Sequence, residues 1–508
     1  MPGISLRRLF RALGGLLIAG APLTSAVAGV PAASLPLPHP IAIDASFMSA
    51  DPGPPTEAQC NTANASTGGR RCFFPEGIRN SYNISPLYHQ GLDGRGVTIA
   101  IVDSFGAETV QHDLHVFDSA FSLQPMCGEE SVACTSGMPT FQQLHLQGSP
   151  PAKPTGGKGT GQENHSAWAL EVALDVEWAH VVAPMANILL VTTPTAETLG
   201  VQGFPQMMAA EQYVIDNHLA SVISQSFAAA EETFSSQQSL ENLRHAFKSA
   251  PAAGVTILGS SGDFGAANKF KEPVHNPGPI PTASVEWPAS DPLVTGVGGT
   301  FLCTNPTVGS QAADDSQPPT TCQTTFAGVR EPAWQGSGGG FSHVFSRPAY
   351  QSTLPAGSTA IPASQRGVPD VAYQASPRTG VLIYSSEPGQ SVSSTCAQPS
   401  TNCVGWFVIG GTSSSAPQWA GLVAIADQIN GDQGNRGGLG LINPGLYRIG
   451  ANASRYAADF YDVTVGSQTK APDGTGFSAS TGWDPVTGLG TPNAAVLVPD
   501  LVAAVNEP

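Results

Sequence analysis

The segment WFVIGGTSSSAPQWAGLVAIA (406–426) is a strand-like apolar run that turns at Gly410 and Gly411 and enters a helix at Ser413. Such a turn exposes a hydroxyl beside the unpaired N–H groups of a helix start, so an oxyanion formed next to Ser413 would meet donors and a favourable dipole. Pro417 suits the first helical turn, where its missing N–H costs little. The plainer alternative is that Ser413 or Thr412 only caps the helix. A serine hydroxyl is a poor nucleophile until a base takes its proton, and two bases are on offer. In SAWALEVALDVEWAHVV (166–182), Glu171 and Asp175 stand four residues apart and share one helix face. An acidic pair at that spacing is ordinarily a solvated face. Here both acids lie among Trp168, Leu170, Val172, Leu174, Val176 and Trp178, and two buried carboxyls in contact share a proton, titrate as a unit and can take a hydroxyl proton at acidic pH. The other choice is a Ser-His-Asp set in which Asp103 ends the strand VTIAIVD (97–103) and His165 is the base. His165 falls in the hydrophilic run GQENHS, which reads as loop.

A third acid, Asp263, follows a strand in ILGSSGDFGA (257–266). Aspartate is common in Gly/Ser turns for local reasons. If it faces Ser413, it must be protonated: a carboxylate would repel a developing oxyanion, whereas a carboxylic acid could donate a hydrogen bond to it. Activity would then fall as Asp263 ionises.

The elements that must position these residues follow from the pattern of the chain. Apolar runs VTIAIVD, NILLVTT (187–193), SVISQSF (221–227) and VTILGSSGD (255–263) alternate with helical patterns near 110–121, 166–182 and 205–217 and in SLENLRHAFKSA. That alternation predicts an α/β fold with a mostly parallel sheet covered by helices on both faces. Hydrophobic residues make up 41% and charged ones 12%, with 57 glycines and 44 prolines, which suits a buried core with many turns. The net charge of −17 and the lack of a basic stripe set nucleic acid aside.

Arg7, Arg8 and Arg11 precede the apolar run ALGGLLIAG, and small residues follow, so residues 1–28 read as an export signal with cleavage after Ala28. No later stretch is long and apolar enough to span a bilayer. Residues 29–75 lack periodicity and read as a flexible leader or short propeptide, with the folded domain over 76–508. Export makes disulfides plausible for the eight cysteines. Pairing of sequence neighbours is expected: Cys60–Cys72, Cys127–Cys134, Cys303–Cys322 and Cys396–Cys403.

Taken together these segments resemble the sedolisins, serine-carboxyl peptidases built on a subtilisin-like fold. GGTSSSAP resembles the nucleophile motif SGTSxSxP, ALEVALDVEW the ExxxD helix, and SSGDFG the segment with the oxyanion aspartate. SVISQSF, SGGGFSHVFSRPAYQ, RGVPDVAYQ and GWDPVTGLGTPN agree in the same order, so the likeness runs from about residue 76 to the C-terminus. The resemblance implies Ser413 as nucleophile, Glu171 as general base, Asp175 orienting Glu171, Asp263 in the oxyanion hole, and SVISQSF lining the substrate cleft. It also implies one structural Ca²⁺ held by the carboxylates of Asp462 and Asp484 and the carbonyls of Val463, Ser480 and Gly482, a set of hard oxygens suited to that ion. Two departures stand out. Gly410 replaces the usual serine, and a short leader stands where the family commonly has a large prodomain. The resulting expectation is a secreted, monomeric, acid-active endopeptidase acting on proteins or peptides. Its rivals are the Ser-His-Asp peptidase and a non-catalytic binding protein on the same fold.

Overall fold

Four runs of aliphatic residues form the middle of a parallel sheet: β3 (Thr98–Ser104), β5 (Asn187–Thr193), β6 (Val222–Gln225) and β7 (Thr256–Ser260). With β4 (Phe141–His145), β8 (Thr295–Thr300) and β9 (Val371–Gln374) they make seven strands in the order β9-β8-β7-β6-β3-β5-β4, every pair parallel. The computed structural model describes residues 46–49, 53–56, 71–146, 162–194, 203–269, 278–303, 328–387, 404–434 and 437–507. The expected export signal and Cys60, Cys322, Cys396 and Cys403 lie outside these residues.

The strands are near-continuous apolar runs because both faces are covered. Ile99 and Ile101 of β3 belong to one core, shared with α2 (Gln162–Val182) and α5 (Thr412–Asp432). Ala100 and Val102, pointing the other way, belong to a second core with α3 (Phe204–Asp216) and α4 (His245–Ala253). A further helix, α1 (Val110–Phe121), packs against α2. The expected doubly covered α/β fold is therefore what the chain adopts.

Two boundaries differ from expectation. Helix α2 begins at Gln162, so His165 sits on the helix and not in a loop. Helix α5 begins at Thr412, which puts Pro417 in its second turn. There the ring withholds the N–H that the Ser413 carbonyl would otherwise receive.

A second sheet is built around the hairpin of β10 (Thr379–Ser385) and β11 (Gly405–Ile409), the strand that runs into α5. Its flanks come from the leader. Strand β1 (Ser46–Ser49) pairs antiparallel with β11, and β2 (Arg71–Phe73) pairs parallel with β10. Cys127 and Cys134 are joined as expected, and Cys72 and Cys303 are also disulfide-bonded.

Candidate active site

In a parallel sheet the loops after the strand ends share one side, and the acids of interest collect there. Asp103 stands one residue before the end of β3, Ser226 follows β6, and Asp263 follows β7. The turn from β11 into α5 is shaped by two glycines. Gly411 has φ of +112°, a conformation that favours glycine. Gly410 has no room for a side chain: a Cβ there would lie 2.4 Å from the Ala375 carbonyl oxygen and 2.5 Å from the Pro377 nitrogen. The absence of a serine at 410 thus has a steric cause.

Ser413 opens the first turn of α5, wholly buried, and its Oγ has no hydrogen-bond partner among the described residues. Next to it, Thr412 donates from its N–H (2.7 Å) and from its hydroxyl (2.9 Å) to the same oxygen, Oδ1 of Asp263. The Gly262 N–H in turn donates to the Thr412 hydroxyl at 3.0 Å. Asp263 is therefore fastened to the residue beside Ser413, while its Oδ2 is buried with no hydrogen-bond partner among the described residues. Burial pushes the Asp263 carboxyl well above the usual range, with the Glu286 carboxyl adding to it against the two Thr412 bonds.

Glu171 and Asp175 are both fully buried on α2. Three contacts show that α2 and α5 run side by side in the same direction. Both helix ends meet the turn at residues 93–94: the Gln428 side chain accepts from the Asp93 N–H at 2.9 Å, and the Met185 N–H donates to the Asp93 carbonyl at 3.0 Å. Further up, a Cβ on Gly421 would touch Val182 at 2.6 Å and the Ala179 carbonyl at 3.3 Å. Ser413 precedes Gly421 by the same eight residues that separate Glu171 from Ala179, so the helical rise brings Glu171 and Ser413 to the same level.

Asp175 sits between two other acids. Burial raises its carboxyl well above the usual range, then the neighbouring Asp103 carboxyl, then Glu171, with the nearby Ser226 hydroxyl partly offsetting them. Asp103 thus belongs beside the α2 pair. In the sequence Asp103 was readable as an acid at a strand end; that it would be spent on another carboxyl was not. The side chain of His165 lies outside the described residues.

No protein-family model matches the chain. Kumamolisin of Bacillus sp. (strain MN-32) is 28% identical over 454 residues, covering 88% of this chain and 66% of that protein. Tripeptidyl-peptidase 1 of Bos taurus is 30% identical over 350 residues, covering 67% and 53%. The chain thus spans about two thirds of the first relative and about half of the second. Pseudomonas sedolisin, a serine-carboxyl proteinase solved with pseudo-iodotyrostatin, superposes with a TM-score of 0.60 at 24% identity, over 84% of this chain and 97% of that one. The chain belongs to the sedolisin family. Within the sedolisin frame, Ser226 and Glu286 are the site neighbours that sequence reading did not single out, and Thr412, read only as a possible helix cap, instead holds Asp263. A strand-end serine in SVISQSF was the only local signal for either of the first two.

The C-terminal segment brings together the five residues expected to hold a metal. Asp484 is fully buried, Asp462 partly so, and the Tyr456 hydroxyl feels both carboxyls. Burial pushes Asp484 up to about 7, and among the described residues no cationic side chain offsets the burial of either acid. Among the described residues, no hydrogen bond ends on the carbonyl oxygens of Val463, Ser480 or Gly482. Two acids without a counter-ion beside three unused carbonyls are a donor set that fits a hard divalent cation.

Proposed function

We propose that the protein is a secreted, acid-active serine-carboxyl endopeptidase. The supporting observation is the fastening of Asp263 to Thr412, next to a buried Ser413 that lies level with Glu171 on the adjacent helix. Glu171 takes the Ser413 proton as Oγ bonds to the substrate carbonyl carbon, and the carbonyl π electrons move onto oxygen. The protonated Asp263, with N–H groups of the α5 start, holds that oxyanion. Glu171 then returns the proton to the leaving amine as the C–N bond breaks, leaving an acyl-enzyme. Water attacks the acyl carbon with Glu171 taking its proton, the bond from that carbon to Ser413 Oγ breaks to release the carboxylic acid product, and Glu171 returns the proton to Oγ. Asp175, itself backed by Asp103, orients Glu171.

The sign of the pH dependence follows from the two roles. Glu171 must be able to accept a proton and Asp263 must keep one, so activity rises from strong acid and falls again as Asp263 ionises. The named relatives include tripeptidyl-peptidases, so a tripeptide-releasing activity is the second reading. Mass-spectrometric mapping of products from a folded-state-independent substrate such as casein, at pH 3 to 5, separates the two. Internal cuts at many positions are expected. A ladder of tripeptides from free N-termini would replace the endopeptidase assignment.

We also assign a structural Ca²⁺ to Asp462, Val463, Ser480, Gly482 and Asp484. The ion would neutralise the buried acid pair and tie residues 462–463 to 480–484. With free Ca²⁺ at about a hundred times its Kd, the linkage is worth about 2.7 kcal/mol. Chelation should then lower Tm by roughly 3 °C, and Asp484→Asn should abolish that difference. Equal Tm with calcium and with chelator would remove the site.

A further inference from the structure

Away from the active site, the contact between α1 and α2 buries an unusual number of ionisable groups. From α1 come Asp113 and Asp118, with His115 half-exposed beside them; from the turn at 122–134 comes Glu129; from α2 come Glu177 and His180. Asp118, Glu129 and His180 are 2%, 5% and 0% exposed. His180 Nε2 lies 3.2 Å from Asp118 Oδ2 and 2.8 Å from the Gln124 carbonyl. Glu129 accepts from the Met126 N–H, and its other oxygen is 3.2 Å from His115 Nδ1. Burial raises the Glu129 carboxyl, and the neighbouring Asp118 carboxyl adds to it. On the next turn, Glu177 accepts from the Tyr384 N–H and feels Asp113 first and then Asp118, while Asp113 accepts from Ser386 and Thr109. His112 and Glu130 pair with each other at the exposed rim, and Arg79 is spent on the Val181 carbonyl.

Among the described residues, four buried carboxyls and one buried imidazole therefore meet with no lysine or arginine beside them. Such a cluster holds together only while part of it stays protonated. We propose that the α1–α2 contact is an acid clasp: under acidic conditions Glu129, Asp118 and His180 lock the 122–134 turn onto α2, and as Glu129 ionises against Asp118 the turn lets go. The Cys127–Cys134 bridge closes the turn so that it moves as a unit. Because α2 also carries Glu171 and Asp175, release would loosen the helix that bears the acid pair.

The sign agrees from every member with a resolved shift. Burial and Asp118 hold Glu129 up at about 8, and burial holds Asp113 up at about 6. His180 is raised by Asp118 despite the opposing effect of burial. Each raised group contributes stability that is complete below its unfolded value and is lost as pH climbs through its folded value.

Hydrogen exchange on the full-length chain tests this without using activity, so it does not depend on the catalytic assignment. After correction for intrinsic exchange, amides of 122–134 should lose at least about tenfold protection between pH 5 and 8.5, more than those of β3. Glu129→Gln keeps a hydrogen-bond donor but cannot ionise, and should abolish that loss. Asp118→Asn removes the repelling partner and should do the same, which covers a failure of either variant to fold. Flat protection in the wild type, or profiles of the variants that match it, would overturn the clasp.

Discussion

Ser413→Ala is expected to lower kcat/KM on a peptide substrate by about 10⁴-fold or more, because the hydroxyl proposed to form the acyl-enzyme is removed. Glu171→Gln should cost a comparable factor, since the amide cannot accept the hydroxyl proton. The two losses should not add in the double variant: residues that act as one unit lose most of their effect together. Asp103→Asn separates this reading from a Ser-His-Asp set. Beside Asp175, Asp103 is a positioning residue, and its replacement removes one of two like charges acting on Asp175. The expected result is a loss of about tenfold or less in kcat, with the acid limb of the pH profile shifted. A loss as deep as that of Ser413→Ala, together with an equal loss in His165→Ala and none in Glu171→Gln, would replace the carboxyl base by histidine.

The second large effect concerns the oxyanion. Removing a single donor from such a site costs about 10²–10³ in kcat, and Asp263→Ala should fall in that range. Asp263→Asn is the sharper test. Oδ1 of Asp263 accepts two hydrogen bonds from Thr412, a role an amide oxygen can fill, and the amide NH₂ would then stand where the protonated Oδ2 stands. The variant should keep much more activity than the alanine. It should also lose the part of the neutral-side decline that comes from Asp263 ionisation, because the amide has no proton to give up. Measured pH profiles of the three forms decide it. Indistinguishable losses for Asn and Ala, with the neutral-side limb unmoved, would mean that Asp263 only braces Thr412.

The fold was legible because strand runs and helical patterns alternate so regularly that a doubly covered parallel sheet is the simplest structure able to bury them. Ser413, Glu171, Asp175 and Asp263 stood out as candidates for a related reason: each stands at an element end or in an apolar stretch where its residue type is out of place. What could not be read was side-to-side placement. The approach of Asp103 to Asp175 depends on how α2 lies over β3, which no local spacing encodes. The start of α2 at Gln162 was hidden by a polar stretch with no helical periodicity. Pro417 was read as a first-turn residue, but it is the sixth residue of a helix that begins at Thr412.

One consequence concerns the amino-terminal stretch before residue 76. Its strands cover both margins of the hairpin whose second arm delivers Ser413. A polypeptide begun at residue 76 would leave two raw backbone borders next to the turn that carries Ser413, open to pairing with another chain. That short tract is better regarded as selvedge than as wrapping: it keeps the weave from fraying beside the proposed nucleophile.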